Sequence, residues 1–152
     1  METLDDKQLA MAFDCEGGFC VAEDGHHYNS LLVSASIAQS YCDELLYRIK
    51  NAVGYGAVSE GQQWEISGKA RILTLLDRIE PYLIVKKNEA VVIRAILGTV
   101  GSAGVALDPR TRLLREKYVE YWKNNYSRKA KKARRSNAIN EGTVGDFQVV
   151  PS

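Results

Sequence analysis

Two carboxylates, Asp14 and Glu16, stand two residues apart directly before the pair Gly17-Gly18. Upstream, Leu4, Leu9, Ala12 and Phe13 supply the apolar positions of a helix that must end at these glycines. At such an end, residues i and i+2 cannot point the same way. One acid can accept hydrogen bonds from backbone while the other projects from the terminus. A carboxylate there meets the negative end of the helix dipole and calls for a compensating cation. The chemistry on offer is a hard divalent metal held by oxygen; the competing reading is a solvated acidic turn. His26-His27 sit beside the turn Asp24-Gly25, where adjacent histidines rarely converge on one ion, which leaves contact with solvent or a phosphate. Cys15, Cys20 and Cys42 form no CxxC and have no histidine spacing to complete a zinc site, so they read as reduced intracellular thiols and small core residues.

The elements that must position these groups follow from pattern. Thr3 is expected to cap the first helix, with Asp5 and Asp6 in its first turn. A strand at Phe19–Glu23, a turn at Asp24-Gly25 and a strand from Tyr28 to Ala38 make a hairpin. In the second strand Ser30, Ser34 and Ser36 take one face and Leu31, Val33, Ala35 and Ile37 the other. Ser40 is expected to cap a second helix, with a stripe of Leu45, Leu46, Ile49 and Val53, that ends at Gly54. A shorter hairpin follows, with strands Ala57–Ser59 and Gln62–Ser67 around Glu60-Gly61. Helices are expected over Lys69–Ile79, Lys87–Leu97 and, after a Gly-rich loop, from Pro109 to about Arg135. In the last, Leu114, Tyr118, Tyr121 and Trp122 share one face and read as core. This order predicts an α+β domain over residues 1–135, with helices on the apolar face of a four-stranded antiparallel sheet and a flexible tail over 136–152. The other sheet face would be bare and polar, a candidate binding surface.

Composition alone points nowhere: 152 residues, 45% hydrophobic, with a net charge of +1. Its distribution is more informative. Residues 1–65 carry 11 acids and three bases, whereas residues 110–135 carry 11 bases and two acids. Such asymmetry marks either a surface for a polyanion or a solvated basic helix. The start, METLDDKQ, is acidic where a signal peptide is basic, and the longest apolar stretch, Ala90–Leu107, contains Arg94 and three glycines. No membrane span is expected, and the reading is an intracellular protein, cytoplasmic or organellar according to its host.

The stretch Leu9–Gly18 resembles the signature of the LAGLIDADG homing endonucleases, with Leu9, Ala10, Asp14 and Gly17 identical and Phe13 and Glu16 conservative. A second segment, Leu75–Ala90, resembles that family's "PFL…K…QA" stretch, and the order of helices and hairpins agrees over about residues 3–125. The resemblance implies an αββαββα fold whose antiparallel sheet binds DNA. It implies that Glu16, with the backbone carbonyl of Cys15, binds Mg²⁺ or another divalent cation such as Mn²⁺. It implies that Gln39 positions the attacking water and that Lys86 stabilises charge at the scissile phosphate. Met11 departs from the motif's glycine, and Asp43 falls near where some members carry an arginine.

One copy of the motif implies a homodimer, its interface expected at Leu9, Ala10, Ala12 and Phe13. The expected DNA contacts are His26, His27, Tyr28, Ser30, Ser34, Ser36, Ser59 and Gln62 on the sheet. Arg128, Lys129, Lys131, Lys132, Arg134 and Arg135 are expected to meet phosphate. The function implied is site-specific, metal-dependent cleavage of double-stranded DNA at a long pseudo-palindromic site, as in intron homing. The alternatives are an RNA maturase acting on intron RNA and a non-cleaving DNA-binding regulator.

Overall fold

The computed structural model describes residues 2–23, 31–101, 106–136 and 147–150, which fall into two compact units, 1–87 and 88–152. In the first unit, α1 (Asp6–Glu16) leads into β1 (Gly17–Glu23) and β2 (Leu31–Ala38). Then come α2 (Asp43–Val53), β3 (Ala57–Ser59), β4 (Gln63–Ser67), α3 (Lys69–Ile79) and a 3₁₀ turn, Glu80–Tyr82. The strands form one sheet in the order β1-β2-β4-β3, antiparallel throughout. The expected α+β class and four-stranded antiparallel sheet are what the chain forms.

Strand alternation divides the residues as the pattern requires. Phe19, Val21, Val33, Ala35, Ile37, Trp64 and Ile66 are buried on the face against which α1, α2 and α3 pack. Their helical partners include Leu9, Phe13, Leu46, Ile49, Leu75 and Ile79, all at most 1% exposed. The rings of Phe13 and Phe19 meet at 4.9 Å. Arg78 on α3 ties the helices together: its Nε donates to Asp6 Oδ1 at 2.8 Å and a terminal nitrogen donates to the Ala52 carbonyl at 2.7 Å.

The caps differ in detail from expectation. Asp5, rather than Thr3, caps α1: its carboxylate accepts from the Gln8 N–H while Gln8 Oε1 accepts from the Asp5 N–H. Ser40 precedes rather than caps α2, whose N-cap residue is Cys42. There Asp43 accepts from the Gly61 N–H at 2.6 Å and joins the helix to the second hairpin turn. Gly54 ends α2 in the left-handed conformation, φ 91°. The cysteines are exposed and free rather than core. Cys20 falls on the outward parity of β1, and Cys15 and Cys42 lie at helix ends.

Gly17 is required by space rather than by φ. A Cβ there would stand 2.6 Å from both the Phe13 ring and the Phe13 carbonyl oxygen. The α1–β1 junction therefore turns within one residue only because that position lacks a side chain. Gly17→Ala is expected to cost about 2 kcal/mol through overpacking, read as a lower urea midpoint at unchanged m-value.

The second unit contains α4 (Lys87–Gly98, which begins at the unit boundary), α5 (Pro109–Asn125) and α6 (Arg128–Ser136). Tyr118 and Trp122 are buried on α5, as the face pattern predicts. The single helix expected from Pro109 to Arg135 is instead two. At the break, Ser127 Oγ accepts from the Ala130 N–H at 3.2 Å, a side-chain cap that starts a new helix. Most of the expected flexible tail lies outside the described residues. Of its described part beyond α6, Phe147 packs on Tyr118 and Tyr121, and the Val150 N–H donates to the Tyr118 hydroxyl at 3.1 Å.

Candidate active site and nucleic-acid interface

The two acids at the end of α1 divide the labour that their spacing suggests. Asp14 turns to backbone: Oδ2 accepts from the Ile84 N–H at 2.8 Å, and Oδ1 from Val85 and Lys86 at 3.1 and 2.9 Å. These are three charge-assisted bonds from one turn of chain. Lys86 reciprocates, its Nζ donating to the Asp14 carbonyl oxygen at 2.5 Å. The segment 84–86 is thus fastened to the last turn of α1, with the Lys86 ammonium at that terminus. Asp14→Asn, which presents an amide N–H₂ to these donors, is expected to lower stability by about 2 kcal/mol in denaturant melts.

Glu16 is the last residue of α1 and is exposed, and among the described residues no hydrogen bond or ion pair engages its carboxylate. Gly17, the first residue of β1, pairs with Ile37 near the end of β2, so the C-terminus of α1 and the exit of β2 lie at the same end of the sheet. Gln39 is held at the end of β2: its N–H donates to the Gln62 carbonyl at 2.9 Å and its Oε1 accepts from the Tyr41 N–H at 3.0 Å. Glu16, Gln39 and Lys86 therefore come to one end of the sheet, where α1 enters β1 and β2 leaves it.

The donor set suits a hard cation. An exposed, uncommitted carboxylate at a helix C-terminus is an oxygen ligand in a field that attracts positive charge. Among the described residues no group of three or more His, Cys, Asp or Glu side chains could close a cage. A single exposed carboxylate is a donor of the kind that suits Mg²⁺, an ion that keeps waters and takes substrate phosphate oxygens. Glu16 would hold it, with the Cys15 carbonyl beside it.

The expected pairing residues need correction. Leu9, Ala10 and Phe13 are 0% exposed within the protomer itself, because they form the core face of α1 against the sheet. Only Ala12 of that set is partly accessible. Among the apolar groups that face outward are Met11 on α1, 69% exposed, and Ile84 and Val85 on the segment that Asp14 fastens, 86% and 75% exposed.

The outward face of the sheet carries Gly18, Cys20 and Ala22 from β1 and Leu32, Ser34, Ser36 and Ala38 from β2. From the second hairpin it carries Ala57, Ser59, Gln63, Glu65 and Ser67. Ser34, Ser36 and Ser59 stand on it as expected, and Gln62 is exposed in the turn beside it. His26, His27, Tyr28 and Ser30 lie outside the described residues. Gln63 and Glu65 were not among the expected contacts, although the inward alternation of Trp64 and Ile66 implies their outward placement.

On α6 all six bases, Arg128, Lys129, Lys131, Lys132, Arg134 and Arg135, are exposed. Lys131 has a second role. Its Nζ lies 3.9 Å from the carboxylate of Glu89, which is 3% exposed and also accepts from Trp122 Nε1 at 3.2 Å. Burial, then Tyr121 and Glu89 nearby, hold the Tyr126 phenol above its ordinary range.

No protein-family model matches the chain, and no curated protein sequence matches it. Solved structures do. The homing endonuclease I-TnaI superposes with a TM-score of 0.69 at 19% identity, over 91% of this chain and 99% of that one. This chain has the LAGLIDADG homing endonuclease fold. I-CvuI in complex with its target, in the presence of Ca, matches at a TM-score of 0.62 and 20% identity, over 94% of this chain and 96% of that one. The LAGLIDADG homing endonuclease I-SmaMI bound to cleaved DNA matches at 0.68 and 18% identity, over 95% of this chain but only 54% of that one. Among the described residues, no helix of this LAGLIDADG-fold chain is long and apolar enough to cross a membrane.

Proposed function

We propose that this chain is a homodimeric, divalent-metal-dependent DNA endonuclease that cuts both strands at a long pseudo-palindromic site, encoded by a mobile intron and acting inside the cell. The observation that carries the reading is the divided pair at the end of α1: Asp14 is consumed by backbone, whereas Glu16 is left exposed at the same end of the sheet as Lys86 and Gln39. Retention of Glu16, Gln39 and Lys86 favours a nuclease over a DNA-binding regulator and over an RNA-binding maturase, although maturases can keep the acid. Solved structures with the same fold, I-CvuI bound to its target in the presence of Ca and I-SmaMI bound to cleaved DNA, support the reading.

A bound Mg²⁺ (or Mn²⁺) supplies the charge that lowers the pKa of water and neutralises the phosphate. The chain's own groups do the rest. Glu16 and the Cys15 carbonyl would hold the ion. Gln39, its amide oxygen occupied by Tyr41, donates through its amide nitrogen to orient the nucleophilic water. Lys86, fixed by the Asp14 carbonyl, donates to a non-bridging phosphate oxygen and offsets charge as the phosphorus becomes five-coordinate.

Cutting two strands requires two such sites. The chain carries one copy of the motif and so one such site, and a second copy would supply the other. The pairing surface is the outward side of α1 and its fastened segment, where Met11, Ile84 and Val85 expose apolar area that association would bury. A plasmid library with randomised inserts tests the function. Linear product is expected with Mg²⁺ and intact, bound plasmid with Ca²⁺. Binding with no cleavage in either Mg²⁺ or Mn²⁺ would return the reading to a DNA-binding regulator.

A further inference from the structure

On the described outward face of the sheet, Glu65 is the one charged side chain, and it is an anion. It sits at the middle of β4, paired in register with Ser36 on one side and Ala57 on the other, so it rises between two small neighbours. Its described partner is Gln63, whose Nε2 donates to Oε2 at 3.2 Å and fixes the direction of the carboxylate. Glu65 also lines an open depression of about 670 Å³ at the sheet edge, with Tyr55, Ala57, Ser67 and Arg71. The Arg71 guanidinium lies 5.4 Å from the centre of the Tyr55 ring, and the Tyr55 hydroxyl donates to the Arg71 carbonyl at 3.0 Å.

A carboxylate on a surface that faces a polyanion is repelled by every phosphate near it. It gains there only by accepting a hydrogen bond from an exocyclic amino group, and in the major groove the group matched to a lone carboxylate is the cytosine N4 amine. We infer that Glu65, oriented by Gln63, specifies a cytosine in each half-site, while Arg71 at the rim of the same depression takes an adjacent phosphate. The inference rests on the DNA-binding reading given above. Serines can bond to several bases, whereas Glu65 accepts without donating, so it is the outward group that discriminates most sharply against guanine and thymine.

The test is binding selection from a duplex library in Ca²⁺, with wild type, Glu65→Gln and Arg71→Ala. Wild type is expected to enrich cytosine at one position per half-site. Glu65→Gln is expected to lose that enrichment by roughly tenfold, with the other positions unchanged and total affinity equal or higher because a repulsive charge is gone. Arg71→Ala is expected to keep the cytosine and weaken binding across all sequences. A wild type that selects bases without this cytosine, or a Glu65→Gln variant that retains it, overturns the assignment and leaves the DNA-binding reading standing. Failure of the wild type to bind any duplex overturns both.

Discussion

Glu16→Gln is expected to abolish cleavage and leave DNA binding intact. The amide keeps the shape of the side chain but not the charge that retains a divalent ion. Glu16 is exposed and makes no described hydrogen bond that folding would miss. Stabilisation of a phosphoryl transition state by a metal is worth several kcal/mol, so the rate is expected to fall by about 10³-fold or more. Anisotropy with labelled target should give an unchanged Kd in Ca²⁺, and thermal melts an unchanged Tm. Asp14→Asn gives the opposite pattern, a loss of stability, because its carboxylate closes three backbone bonds. The two neighbouring acids are thus separable by which property each substitution damages.

The second large effect concerns α6. The sheet's described outward face has no cation, so base discrimination and counterion release must come from different places. Arg128, Lys129, Lys132, Arg134 and Arg135 form a dense basic cluster available to phosphate, whereas Lys131 is best left in place because it faces buried Glu89. Removing Lys131 would take a cation away from a buried carboxylate and confound folding with binding. With about half of the five remaining bases on phosphate in each protomer, changing all five to Ala removes about five contacts per dimer. At a slope of about −0.9 per contact, the dependence of log K on log salt becomes shallower by about 4 to 5 units. Sequence preference should persist, since phosphate contacts position while base contacts specify. An unchanged slope would mean that α6 is a solvated face only.

Much of this was legible in the sequence, for identifiable reasons. Strand alternation through Val33, Ala35 and Ile37, and the apolar positions Ile72, Leu73, Leu75, Leu76 and Ile79 of α3, are local signals, and all are buried except Leu73, which is half-buried. Gly54 was readable as a helix stop because a left-handed C-cap favours glycine. The reasoning that split Asp14 from Glu16 by direction was also local. What could not be read was which backbone Asp14 would find, since Ile84 to Lys86 lie some 70 positions away. The same holds for Asp43 and Gly61, a contact across 18 residues that gives this acid a structural role.

Other misreadings came from choosing the wrong face. Leu9, Ala10 and Phe13 are apolar and lie in the motif, but in this chain the sheet claims them, and Met11 is left outside. The aromatic and basic pattern of residues 109–135 is continuous, so the helix break shows only through the capping bond of Ser127. Gln63 and Glu65 were recoverable from parity with Trp64 and Ile66, because adjacent strand residues face opposite ways.

The central claim is that two copies of this chain, each contributing one Glu16, cut one strand apiece. Mixed dimers of differently tagged wild-type and Glu16→Gln chains, purified through both tags, test it on a supercoiled plasmid carrying the selected site. The account predicts that they convert plasmid to the nicked circle and stop there, while wild-type dimers give the linear form at the same protein concentration. Linear product from the mixed dimer, at a rate close to that of wild type, would show that a single Glu16 suffices for both strands and would contradict it.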